Sequence, residues 1–89
     1  MSTHTSHPEI IKRLKRAEGH LKSIISMLED GRNCLEIAQQ LQAVESAVGN
    51  AKKTLVHDHI DHCLEQAVRN GPQSPDDTIR EFKAITKYL

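Results

Sequence analysis

The chain predicts an all-α protein whose protomer is built from three helices. Three observations carry this expectation. Apolar residues recur at helical spacing in three separate stretches. Only two turn-forming segments divide them, Asp30-Gly31-Arg32-Asn33 and Asn70-Gly71-Pro72-Gln73-Ser74-Pro75. One Phe, one Tyr and no Trp suit Leu/Ile/Val/Ala helix packing and argue against a sandwich or barrel. At 89 residues a lone core is thin, so association of copies is a natural source of further burial.

Residues 1–7, MSTHTSH, read as a flexible polar arm carrying His4 and His7. A single helical domain spans 8–89, with helices expected at about 8–29, 34–70 and 75–88. Pro8 is favoured in a first helical turn, and Glu9 suits the positive end of the helix dipole. The apolar stripe of the first helix is Ile10, Ile11, Leu14, Ala17, Leu21, Ile24, Ile25 and Leu28. Its other side carries Lys12, Arg13, Lys15, Arg16 and Lys22, interrupted only by Glu18. Twelve basic and twelve acidic residues cancel over the whole chain, so net charge names no partner. The local basic excess is what a phosphate backbone attracts. No aromatic residues interleave it as in a single-strand binder, and no helix-turn-helix pattern is evident. Such a face suits contact with duplex DNA, and a merely solvated face is the competing reading.

Gly31 is placed to cap the first helix. Asn33 is placed to open the second, with Glu36 at the third position of a capping-box-like arrangement. Cys34 then lies at a helix N-terminus, where the dipole favours thiolate, the form that binds metal. The central stripe runs through Ile37, Ala38, Leu41, Val44, Ala47, Val48, Ala51 and Leu55 to His59 and Cys63. Gly49 is tolerated within it at roughly 1 kcal/mol relative to Ala. Lys52 and Lys53 add to the basic surface. His57 and His62 point away from the His59–Cys63 pair, and Asp58 or Asp61 could orient an imidazole. In the third helix, opened by Ser74 or Pro75 with Asp76 and Asp77 in its first turn, the stripe is Ile79, Phe82 and Ile85, extended by Tyr88 and Leu89.

His59 and Cys63, four residues apart, share a helix face about 6 Å apart. Cys34 precedes His59 by 25 residues, which is about 37 Å of straight helix at ~1.5 Å per residue. The three act together only if two copies lie antiparallel, Cys34 of each meeting His59 and Cys63 of the other. A two-fold dimer then has two equivalent sites. The competing reading makes the cysteines small buried hydrophobes. As a donor set, two thiolates and one imidazole are soft and suit three-coordinate Cu(I). Structural Zn(II) normally takes four ligands, often in paired CxxC motifs, which are absent. Ni(II) or Co(II) would want further nitrogen or oxygen donors, from the N-terminal amine, His4 or His7, with His62 another accessory. Two cysteines without a signal peptide point to a reducing, cytoplasmic setting, and no apolar run is long enough for a membrane span. Cys34 and His59 could imitate a nucleophile and its base. The chain offers no evident oxyanion hole, Gly-rich loop or substrate pocket beside them, so an enzyme is not expected. A DNA-independent metal-buffering protein would keep the thiol chemistry without needing the basic face.

The segments RLKRAEGHL (13–21), Cys34 with AQQLQAVESAVGNAKKTLVHDHIDHC (38–63), and DDTI (76–79) resemble the CsoR/RcnR family of small helical repressors over nearly the whole chain after residue 8. The resemblance implies an antiparallel dimer, dimers pairing into a tetramer, and a ligand site built across the dimer. It also implies a metal-free form that binds operator DNA and releases it when an inducer binds, derepressing efflux or detoxification genes. The copper sensors resemble this chain in their Cys, His, Cys set, carried here by Cys34, His59 and Cys63. The nickel and cobalt sensors add an N-terminal histidine whose place falls on Ser2, with His4 two residues away. Formaldehyde sensors resemble the chain at Cys34 but generally lack the second thiol, and persulfide sensors lack the histidine. The copper branch's Tyr beside the first Cys appears here as Asn33. The family's DNA-contacting residues match Arg13 and Arg16 best, with Lys12 and Lys15 beside them.

Overall fold

Three helices form in sequence order: α1 (His7–Glu29), α2 (Cys34–Asn70) and α3 (Pro75–Thr86). They are seen in a computed structural model that describes residues 6–70 and 75–89, and no strand occurs among the described residues. The all-α expectation therefore stands. The turn expected at Gly71, Pro72, Gln73 and Ser74, and the first five arm residues with His4, lie outside the described residues. Contacts divide the chain at Lys52–Lys53, within α2.

In the segment Pro8–Lys52, α1 turns back into α2 through two backbone devices. Gly31 adopts φ 71°, the left-handed conformation that glycine accepts without a Cβ penalty. Arg32 N donates to Met27 O at 3.0 Å and Gly31 N to Leu28 O at 3.2 Å, the paired bonds of a Schellman cap. Asn33 then starts α2: Glu36 N donates to Asn33 Oδ1 at 2.8 Å, and Ile37 N to Asn33 O at 3.2 Å. The expected cap is present with one change. The Glu36 carboxylate accepts from the Arg32 guanidinium, four residues earlier.

The core of this segment follows a seven-residue rule. Ile10, Ala17 and Ile24 are buried on α1, and Ile37, Val44 and Ala51 on α2. Ile24, Ile37 and Val44 form one cluster with Met27 packed against it. Such spacing is that of a coiled-coil seam. The broad stripe expected on α1 is only partly realised. Leu14, Leu21 and Leu28 lie outside the core, at 44, 41 and 58 % exposure, and so do Ile11 and Ile25. Likewise, Leu41, Val48 and Leu55 of α2 form a second row, again seven residues apart, and all are exposed. Among the described residues, each of these two helices thus carries a buried row and an exposed one. His20 Nε2 lies 2.5 Å from Gln40 Oε1. An amide oxygen can only accept, so the imidazole is the donor.

In the segment from Lys53 onward, Val56 and Cys63 are buried, seven residues apart. Cys63, Leu64 and Ala67 of α2 face Thr78, Ile79 and Phe82 of α3 across an apolar groove of about 180 Å³. The third helix is shorter than expected. It ends at Thr86, whose Oγ1 donates to Lys83 O at 2.9 Å, and a turn follows in which Tyr88 N donates to Ile85 O. Tyr88 and Leu89 are exposed at 60 and 70 %, so they do not extend the packed stripe. No helix among the described residues is long and apolar enough to cross a membrane.

Candidate metal centre and basic groove

Cys63 and His59 occupy successive turns of α2, and α3 brings a carboxylate to them. The ligating atoms of His59, Cys63 and Glu81 all lie within 4.8 Å of one another. Cys63 is buried, His59 is partly covered and Glu81 is exposed. Glu81 Oε1 stands 4.0 Å from His59 Nε2, at the limit of an ion pair with a protonated ring. Burial pushes the Cys63 thiol up from its ordinary value, and the negative charge of Glu81 pushes it further the same way. Both causes disfavour an uncompensated thiolate, and a cation placed among these groups would reverse the electrostatic part. A thiol, an imidazole and a carboxylate converging on one place are chemically suited to a transition-metal ion.

Cys34 is not a member of that group. It is the first residue of α2 and is exposed, and neither cysteine is in a disulfide. His62 is partly buried and His57 exposed, and neither belongs to the converging group. His7 begins α1. Glu81 had no signal in the pattern of spacing: it stands 18 residues beyond Cys63, and only the packing of α3 on α2 brings it near.

The basic residues singled out on α1, Lys12, Arg13, Lys15 and Arg16, are all exposed. Arg13 and Arg16 line a groove of about 340 Å³ together with Glu9, Ala17 and His20 of α1 and Ala47 and Asn50 of α2. Glu9 Oε1 is 3.6 Å from Arg13 Nε.

The family model for metal-sensitive transcriptional repressors matches residues 6–88. The chain belongs to that family. Among relatives of this repressor, the copper-sensing transcriptional repressor CsoR of Bacillus subtilis (strain 168) is 37 % identical over 81 residues, covering 89 % of this chain and 80 % of the relative. The copper-sensing transcriptional repressor RicR of Mycobacterium tuberculosis (strain ATCC 25618 / H37Rv) is 34 % identical over 78 residues, covering 88 % and 81 %. In structure, the repressor is similar to the nickel-responsive transcriptional regulator InrS, with a TM-score of 0.83, 26 % identity, and coverage of 100 % of this chain and 99 % of that one. Metal-sensitive repression is thus the repressor's function in outline, DNA is its partner, and the family is one of regulators rather than enzymes.

Proposed function

We propose that the repressor answers to Cu(I). In this reading copies associate as antiparallel dimers that pair into a tetramer, in a cytoplasmic setting that keeps both thiols reduced. The metal-free assembly holds double-stranded operator DNA through Lys12, Arg13, Lys15 and Arg16. Cys34 of one copy, with His59 and Cys63 of its antiparallel partner, would hold the ion. Bound there, the metal would supply a link between chains through two soft thiolates and one imidazole. The observation that carries the reading is the convergence of His59 and Cys63 at one place on α2, with a second thiol at the start of the same helix. The exposed row Leu41, Val48 and Leu55 supports association, since an identical helix running the opposite way would cover it. Derepression of efflux or detoxification genes then requires only that the free assembly bind metal more tightly than the DNA-bound one, a coupling that is reciprocal.

A second reading, Ni(II), Co(II) or Zn(II) as inducer, draws support from Glu81. Its oxygen lies with the His59 nitrogen and the Cys63 sulfur, and a mixed set of this kind suits harder ions than Cu(I). His4 or His7 of the arm would then complete it.

The test is operator binding by fluorescence anisotropy, using a duplex selected from random sequence, during titration with each of the four ions. Cu(I) should release the DNA, and Cys34→Ala should bind DNA normally but ignore the ion. A Cys34→Ala protein that responds like the wild type would show the ligand set to be wrong. Release by Ni(II) or Co(II) but not Cu(I) would favour the second reading. Affinity should fall steeply with salt, and Arg13→Ala should reduce that slope by about 1, the share of a single neutralised phosphate.

A further inference from the structure

The groove on the α1–α2 hairpin contains an acid where a DNA-contacting surface would want none. Two guanidinium groups, Arg13 and Arg16, share it with the Glu9 carboxylate. Glu9 sits one turn before Arg13, its Oε1 3.6 Å from Arg13 Nε, in the acid-before-base orientation that helices favour. The groove is open and about 340 Å³ in volume, within the size range of small-ligand sites. A carboxylate 3.6 Å from Nε stands by the donor edge that a phosphate oxygen would take, because guanidinium presents the same planar fork to both anions.

We propose that Glu9 is an internal competitor for backbone phosphate: its carboxylate holds Arg13 in the free protein and must yield that guanidinium when duplex DNA enters the groove. The inference rests on the DNA-binding reading above. Glu9 then acts as a brake. It lowers affinity for every duplex alike, since phosphate contacts carry no sequence information. It also leaves a repressor that has to release its operator less firmly attached. The brake is electrostatic and weakens as salt screens the groove.

The test compares the metal-free full chain with Glu9→Gln, Arg13→Ala, the double variant, and Glu18→Gln. Glu18→Gln makes the same charge change on α1 at a residue outside the groove lining. Binding is read by anisotropy on a mixed-sequence duplex at low salt, after circular dichroism has shown equal helix content. Glu9→Gln should bind about fivefold more tightly and Glu18→Gln less than about twofold. The Glu9→Gln gain should vanish in the Arg13→Ala background and shrink at high salt. Equal gains from Glu9→Gln and Glu18→Gln, or a gain that survives without Arg13, would overturn the proposal. Duplex binding that needs Arg13 but ignores Glu9 would overturn the brake and leave the DNA reading intact. A parallel titration with inorganic phosphate, followed through the arginine side-chain NMR signals, separates the sources of the anion. Phosphate binding enhanced by Glu9→Gln in a protein that binds no duplex would overturn the proposal in favour of a free-anion site.

Discussion

His59 Nε2 and Glu81 Oε1 stand 4.0 Å apart, joining the fourth-last helical turn of α2 to the middle of α3. The same carboxylate disfavours a thiolate at Cys63. One substitution therefore gives two opposed readouts. Glu81→Gln should lower the pH at which Cys63 ionises, followed by thiolate absorbance, with burial keeping it above the ordinary thiol value. The same change should weaken metal binding by about 10- to 100-fold in chelator competition, because a charged group that orients or joins the donor set is removed.

The Cys63 shift also has a consequence for stability. Its thiol is raised in the fold from 9.0, by burial first and by Glu81 second, so the fold favours the neutral form. That contribution is complete below the unfolded thiol's value and is lost as pH climbs through the folded one, because the unfolded chain ionises first. The urea midpoint of the metal-free protein should fall as pH rises above the unfolded thiol's 9.0, and Cys63→Ala should flatten that part of the profile.

Gly31 is the residue on which the α1–α2 turn depends. With φ at 71° and open space where a Cβ would lie, the cost of a side chain there is conformational rather than steric crowding by neighbours. Gly31→Ala should destabilise by about 1 kcal/mol in denaturant titration, and Gly31→Asn by less.

Asn33→Ala removes the side-chain acceptor for Glu36 N and should cost about 1 kcal/mol. It should also loosen the first turn of α2, which carries Cys34. The proposed site would then lose metal affinity through a residue that need never touch the ion.

The two apolar rows on each long helix should separate under mutation. Ile24→Ala, in the buried cluster, should cost about 2–4 kcal/mol and lower the melting temperature. Val48→Asp, on the exposed row, should leave the helix content of an isolated chain nearly unchanged and shift sedimentation toward smaller species.

Local chemistry makes much of this readable from the chain alone. Gly31 and Asn33 act through bonds to residues within five positions of themselves, so their roles show in the sequence. So does the pairing of His59 with Cys63, which one helical turn brings together. Glu81 is not readable in this way, because its place in the candidate centre depends on how α3 packs, and nothing in its own neighbourhood marks it. Nor can periodicity alone decide which of two overlapping rows a helix buries. Leu14, Leu21 and Leu28 look as apolar as Ile10, Ala17 and Ile24, and only the facing helix distinguishes them. Tyr88 and Leu89 continue the apolar spacing on paper, but the helix ends at Thr86 and does not reach them.

The uncovered leucine and valine rows have a bearing on how such a sensor would behave in a cell. Large side chains lie exposed on both long helices, so if copies associate as proposed, the assembled molecule would be the favoured species. If the sulfur donors are also split between molecules, detection would depend on abundance: below the titre at which molecules meet, the inducer would find no complete binding place. Gene dosage would then set the detection threshold alongside the affinity of the ligands themselves.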